Sequence, residues 1–559
     1  MRLLSIKFLI TIVLTGVIGV GCKKMEPVIN DYRDIQEVEK QLEKFVPVEI
    51  SADLSQLQPG DRKALKKLVE AAKIMDEIFL RQVYHKNVAI RTELKSGSNK
   101  DYGVLLKYFT IMFGPFDRLE GDAPFINLQE TKPAGANFYP PDLSKEEFNE
   151  WLKNHPEDDS LFTSNFTIIE RHGKELKAVP YSQAYRVFLE EAAMFLREAA
   201  DFTENPSLKK YLNSRAEAFL SNDYFQSDMD WMDLHDHDLE VVIGPYEVYE
   251  DKLFGYKAAF TAFITLVDKG DSEKLRLLAN YLNDLERRLP IPDEYKNFER
   301  GSSSPIMVVN ELYTGGDTKA GVQTAAFNLP NDERVREAKG SKKVMLKNVI
   351  QAKYEKIAIP IMQRVLSEKD LAKTSADAFF YHILLHEMVH GIGPGKIVKN
   401  GKETTVNKEL KETYSTLEEA KADVVGLYQF PYLIEKGVFD KELADKIYAS
   451  FVGGIFRSVR FGIEEAHGGA NVITLNYLME KGGVDYDASS GRFVVNDNKI
   501  AEAVKSLSHD ILMIQAHGDY EAAKAFIQKY RYISPELEQA LARLSDVPVD
   551  IWPMYGVEN

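Results

Sequence analysis

The stretch FFYHILLHEMVHGIGPGK, Phe379 to Lys396, constrains this chain more than any other. His386 and His390 stand four positions apart, with Glu387 directly after the first. Positions i and i+4 of an α-helix lie on one face, one turn apart. Two imidazoles so placed reach one ion at about 2.0–2.1 Å from each nitrogen. Glu387 lies beside the pair, able to reach a water at the metal without being a ligand, which suits a general base. The preceding run ADAFFYHILL is apolar enough to bury one side of a helix, and Gly391, Gly393, Pro394 and Gly395 end it. The bland alternative is a core or solvated helix that carries histidines by accident. With 11 His in the chain, the full string in helical context favours the metal.

Catalytic zinc needs three protein ligands and an open position. Downstream lies TYSTLEEAKADVVGLYQFPYL, Thr413 to Leu433, with Glu418, Glu419 and Asp423 on a predicted helix. Glu419 and Asp423 share a face and Glu418 is adjacent. Alone this reads as a charged helix surface. Beside HEMVH, one carboxylate completes a His₂Glu site and the others hold imidazole N–H groups. Nitrogen and oxygen ligands also admit cobalt or manganese.

A length of 559 residues is enough for two to four domains or two large lobes. The formal charge of −16 argues against nucleic-acid binding, which needs a basic face, and reads as solubility. At the amino terminus Arg2 and Lys7 precede an apolar run from Phe8 to Val20, then Gly21 and Cys22. The run is short for a spanning helix and right for a signal-peptide core. With the chain's one cysteine just after it, the segment resembles a bacterial lipoprotein signal, in which Cys22 is lipidated after removal of residues 1–21. The expectation is a protein of the bacterial cell envelope, lipid-anchored to a membrane on the periplasmic side or at the outer membrane.

Along the chain, DRKALKKLVEAAKIMDEIFLRQVYH and SQAYRVFLEEAAMFLREAADF carry apolar residues at helical spacing. DLEVVIGPYEVYED, SPIMVVNELY and VQTAAFNLP read as strands. From about residue 342 the pattern turns helical, over 342–370, 376–391, 416–433, 440–481 and 498–543 in pieces. His235 and His237 in MDLHDHDLE read as a solvated acidic turn, because no matching metal partner is visible. No glycine-rich phosphate loop of the G-x-x-x-x-G-K type occurs to support nucleotide hydrolysis.

HExxH followed by EExxAD resembles the dipeptidyl peptidase III family of zinc metallopeptidases, in its short bacterial form. That resemblance implies one zinc per chain on His386, His390 and Glu419, water activation by Glu387, and outer carboxylates Glu418 and Asp423. IGPYEVYED resembles the family's E-x-Y strand, giving Glu247 and the oxyanion donor Tyr249. FNLPND resembles its N-x-P-N segment, giving Asn328 and Asn331, which with Glu247 would hold the substrate's amino terminus. EEAHGGANVITLNYLMEKGG resembles the helix with a transition-state histidine, here His467. One further acidic position of some members falls at or near Phe260.

The implied fold is α+β, two lobes around a wide cleft. A mixed lobe with a β-barrel-like core takes residues 22–270, with 305–345 returning to it. A mostly helical zinc lobe takes 271–304 and 346–530, and 531–559 is a C-terminal tail. The implied activity is release of dipeptides from the free amino terminus of oligopeptides. A zinc endopeptidase or amidohydrolase of the same fold is one alternative. A non-catalytic, peptide-binding surface lipoprotein is the other.

Overall fold

The computed structural model describes residues 27–298 and 306–558. The expected signal segment and Cys22 lie outside the described residues. Helix and sheet are mixed along the chain, with strands concentrated before residue 346 and helices after it.

After a first strand, β1 (Phe45–Ile50), comes the long helix α1 (Pro59–Val83). Pro59 opens it, where a missing N–H costs nothing. Leu65, Leu68, Ala72, Met75 and Phe79 of α1 are buried. Helices α2 (Arg186–Phe202) and α3 (Pro206–Ser221) follow; α2 packs on α1, and α3 on α2.

Next come β2 (Leu239–Glu247), β3 (Ala259–Val267), β4 (Ile306–Gly316), β5 (Ala326–Leu329) and β6 (Lys342–Leu346). They form one sheet in the order β2-β3-β4-β6-β5. Only β4 and β6 run parallel; the other neighbours are antiparallel. α1 lies against β3 and β4. The approach is close enough that a Cβ on Gly315 of β4 would stand 2.3 Å from the Ala72 carbonyl oxygen of α1. β3 is buried on both faces, so its sequence AFTAFITLV is apolar but for Thr261 and Thr265 and shows no alternation.

The barrel-like core expected from the resemblance is an open sheet, with β2 and β5 as its edges. Pro245 gives β2 no N–H for a further strand, and the register shifts beside it. The two edges still approach: the Asn331 side-chain amide, just after β5, donates to the Tyr246 carbonyl at 3.0 Å.

The helical part differs from expectation in two places. Residues 342–346 are strand, because their apolar run pairs with β4 on one side and β5 on the other. Beyond them come α4 (Ala376–Val389), α5 (Tyr414–Glu435), α6 (Ile447–Val459), α7 (Ala466–Glu480) and α8 (Ile500–His517). The single helix expected over 440–481 is thus two, broken at Gly462, whose φ of +104° leaves the helical region. The Glu465 side chain then caps α7, accepting from the Gly468 amide at 3.0 Å. Near the end of the chain, β7 (Asp550–Tyr555) pairs in parallel with β1. Among the described residues no helix is long and apolar enough to cross a membrane.

Candidate metal centre

α4 begins at Ser375, whose hydroxyl accepts from the Ala378 amide at 3.1 Å. Most of its side chains are buried, His386 among them. His390 caps its C-terminus with helical dihedrals, so the two histidines keep the plain one-turn spacing. α5 packs along α4. Gly426 permits this, since a Cβ there would already lie 3.3 Å from Leu385 Cβ. The buried ammonium of Lys421, on α5, donates to the carbonyls of Val389 at 3.1 Å and Ile392 at 3.1 Å. A cation is favourable at that helix end, and it pins α5 to the segment bearing His390.

The result is a convergence of three donors. His386 Nε2 lies 3.0 Å from Glu419 Oε2, and His390 Nε2 lies 3.7 Å from the same oxygen. The two Nε2 atoms face each other at 3.1 Å. Ligand atoms of all three residues lie within 4.8 Å of one another. Both Nδ1 atoms are engaged by carboxylates: His386 with Asp423 at 2.7 Å, His390 with Glu418 at 2.8 Å. If each Nδ1 donates there, each Nε2 presents a lone pair to the same point. Glu419 Oε2 is buried and makes no hydrogen bond, although imidazole nitrogens surround it. Lone pairs and a carboxylate oxygen facing one another repel unless a cation stands between them. This donor set, two nitrogens and one oxygen, fits zinc.

The outer carboxylates are themselves held. Asp423 also accepts from Asn471 at 3.2 Å and meets His382 at 3.3 Å. Glu418 accepts from Gln515 at 3.0 Å and pairs with Lys421 at 2.7 Å. Burial raises the Glu418 carboxyl, but Lys421 and His390 outweigh it and hold it down at about 2. Burial disfavours the His386 imidazolium, yet without a metal Asp423 and Glu419 push its pKa up to about 10, so a proton and a cation compete for this point. His467, at the start of α7, brings Nε2 to 3.2 Å from Glu419 Oε2. Glu387 points to the same cavity, of about 570 Å³, that His386, His467 and Asn471 line. Lys343 of β6 donates to the Glu387 carboxylate at 3.0 Å. Burial raises that carboxyl; Lys343 and the imidazoles keep it below its usual value.

A second cavity, of about 540 Å³, is lined by Glu247, Tyr249, Asp317, Asn328 and Asn331. Both cavities share Val322, Thr324 and Ala326, so the segment leading into edge strand β5 joins them. Tyr249 is 77% exposed and lines this second cavity, not the one that holds the histidines.

The model for peptidase family M49 matches residues 159–431. The solved structure of DPP III from Caldithrix abyssi is 56% identical, with a TM-score of 0.91 over 93% of this chain and 99% of that one. The chain belongs to the dipeptidyl peptidase III family. It is an enzyme, a peptidase of the dipeptidyl peptidase type. A dipeptidyl-peptidase III structure from Corallococcus sp. strain EGB is 42% identical, with a TM-score of 0.77 over 94% of this chain and 98% of that one. Nudix hydrolase 3 of Arabidopsis thaliana is 42% identical over an alignment that covers 93% of this chain and 74% of that protein.

Within this family member, two sequence readings need correction. Phe260 is fully buried, ringed by Tyr181, Tyr185 and Phe219, and lines neither cavity. Beside Glu247, the second cavity holds a further acid, Asp317, which sequence reasoning missed. Burial, with Glu250 adding to it, pushes its carboxyl up to about 7. Its one sequence signal is the Gly315-Gly316 pair before it, which ends β4 and turns the chain inward. The histidines of MDLHDHDLE also part ways: His235 is exposed, but His237 is buried against Glu240 at 2.5 Å, so that turn is not wholly solvated.

Proposed function

We propose that this enzyme is zinc-dependent and releases dipeptides from the free amino terminus of oligopeptides. The observation that carries this reading is the joint geometry of the two cavities. At one end Glu247, Asp317, Asn328 and Asn331 offer carboxylates and amides to an ammonium group. At the other stands the histidine cluster. Between them runs the free edge of β5, to which an extended peptide would add as a strand, tolerant of side chains. An ammonium held at the first end places the second peptide bond near the cluster.

A zinc ion held by His386, His390 and Glu419 would supply a Lewis acid that polarises the peptide carbonyl and acidifies water. Glu387 takes the proton of the attacking water and later delivers it to the leaving amine. Asp423 and Glu418 hold the two imidazoles in one orientation and tautomer. His467 stands beside the carbonyl that turns tetrahedral, and Tyr249 donates to its oxygen. Because Tyr249 is exposed, this reading requires two lobes that close on substrate, expelling water and carrying Tyr249 inward. The lobes would follow the division expected from sequence, the sheet with α1–α3 in one and α4–α8 in the other. An exported, lipid-anchored form in the cell envelope is part of the proposal and rests on residues 1–22 alone.

The test is a panel of dipeptidyl-arylamides, free and amino-acetylated, with metal analysis of the same protein and a chelator control. Expected are about one zinc per chain, cleavage of the free substrates and loss of activity on chelation. Equal cleavage of acetylated substrates would defeat the amino-terminal grip, and activity that survives complete metal removal would defeat the mechanism.

A further inference from the structure

Arg457 lies on α6 and lines the cavity that also holds His386, Glu387 and His467. Its Nε is buried and has no hydrogen-bond partner among the described residues. Its one ring neighbour is Phe461, 5.8 Å from the guanidinium carbon. No carboxylate pairs with it among the described residues: Asp423, which lines the same cavity, and acids of neighbouring segments are engaged elsewhere. Asp550 pairs with Lys353 at 2.9 Å, Asp546 with Arg364 at 2.6 Å, and Asp423 with His386. The residue is half-buried, so its guanidinium is held at the cavity wall without a paired acid among the described residues, and it is the group best shaped to take a carboxylate in a forked pair.

Its place along the peptide path gives that ligand a position. Lys353 donates to the carbonyl of Gln323, at the end of the edge segment remote from Asn328. Gln323 and Arg457 line the same cavity, so Arg457 sits on the side of that remote end. A substrate whose ammonium is held near Asn328 and Asn331 would extend past the histidine cluster toward Val322 and Arg457, at about 3.3 Å per residue. The residues that reach Arg457 lie on the leaving side of the scissile bond.

We infer that Arg457 binds a carboxylate of the substrate a few residues beyond the scissile bond, so the enzyme selects short peptides by their free carboxyl terminus or by an acidic side chain there. The inference rests on the amino-terminal grip proposed above, because that grip sets the direction of the peptide. Phe379, Phe451 and Gly454 line the same cavity and leave apolar room beside the guanidinium.

The experiment measures binding by calorimetry to zinc-loaded Glu387→Gln protein, which does not turn substrate over. Uncharged peptides of four to seven residues are compared as free acids and as amides. A third set of amides carries one Asp on the leaving side. Free acids of one length, or Asp amides at one position, should bind about 10-fold or more tighter than neutral amides. Preference among free acids identifies the chain terminus, and preference among Asp amides identifies a side chain. Adding Arg457→Leu should abolish the preference, Arg457→Gln should do the same with less disturbance of packing, and Arg457→Lys should keep part of it. Equal affinities for acids and neutral amides, or a preference that survives both neutral substitutions, would overturn the inference. Amino-acetylated peptides give a separate reading: unchanged affinity on acetylation refutes the amino-terminal grip, whatever the carboxylate arm returns.

Discussion

Lys343 reaches from the sheet to Glu387 and bonds it twice, to the carbonyl oxygen at 2.9 Å and to the carboxylate at 3.0 Å. One ammonium thereby fixes the direction of the group that must move a proton. Lys343→Met should lower kcat by about 10-fold or more, the size of one charge-assisted hydrogen bond, while zinc content stays at wild-type level. Metal analysis beside steady-state kinetics decides it; full turnover in the variant would mean that Glu387 is oriented by other means.

Glu387→Gln should keep the metal and lose turnover, because the side chain is no donor atom of the cluster. His386→Ala and Glu419→Ala should lose metal. Asp423→Asn should weaken metal affinity by about 10–100-fold without removing a ligand, since it frees the His386 ring to turn. Competitive chelator titration ranks the four proteins, and equal zinc loss in the Glu387 variant would contradict the assignment.

Asp317→Asn removes one carboxylate from the cavity of Glu247, Asn328 and Asn331. KM for dipeptidyl-arylamides with a free amino group should rise by roughly 10-fold, with a smaller change in kcat, because the contact exists before and during the reaction. The same KM in both proteins would place the ammonium elsewhere.

Lys257 is buried, and its ammonium donates to the carbonyls of Phe162 at 2.7 Å and Ser164 at 2.9 Å. Burial lowers its pKa to about 7, against an ordinary value of 10.5. Between those values the unfolded chain binds a proton that the folded one lacks, so stability rises with pH by up to about 1.4 kcal/mol per unit, and it is lost as pH falls through 7. Urea unfolding at pH 7, 8 and 9 should show wild type gaining on Lys257→Met at each step. Parallel curves for the two proteins would mean that the lysine keeps its charge.

The metal cluster was legible because its logic is local: His386 and His390 are one turn apart, and Glu418, Glu419 and Asp423 share one short helix stretch. Asp317 was not, because only tertiary burial separates it from any acid in a turn. β3 has no alternation to read, since both its faces are covered. β6 looked like the start of a helix until β4 and β5 claimed it. The openness of the sheet depends on which strands meet at its edges, and pairing between distant segments leaves no trace in a short window of residues. The break at Gly462 is a single dihedral in a run that otherwise favours helix, yet it sets where His467 stands.

The pairing of Phe45–Ile50 with Asp550–Tyr555 joins strands some five hundred positions apart. A nascent chain must hold Phe45–Ile50 unmatched until the complementary strand has also been made. Closing so long a loop is slow, and the waiting edge is exposed to wrong partners meanwhile. Substitutions that break the Asp550–Tyr555 strand should therefore cost soluble yield far more than the loss of six paired residues suggests.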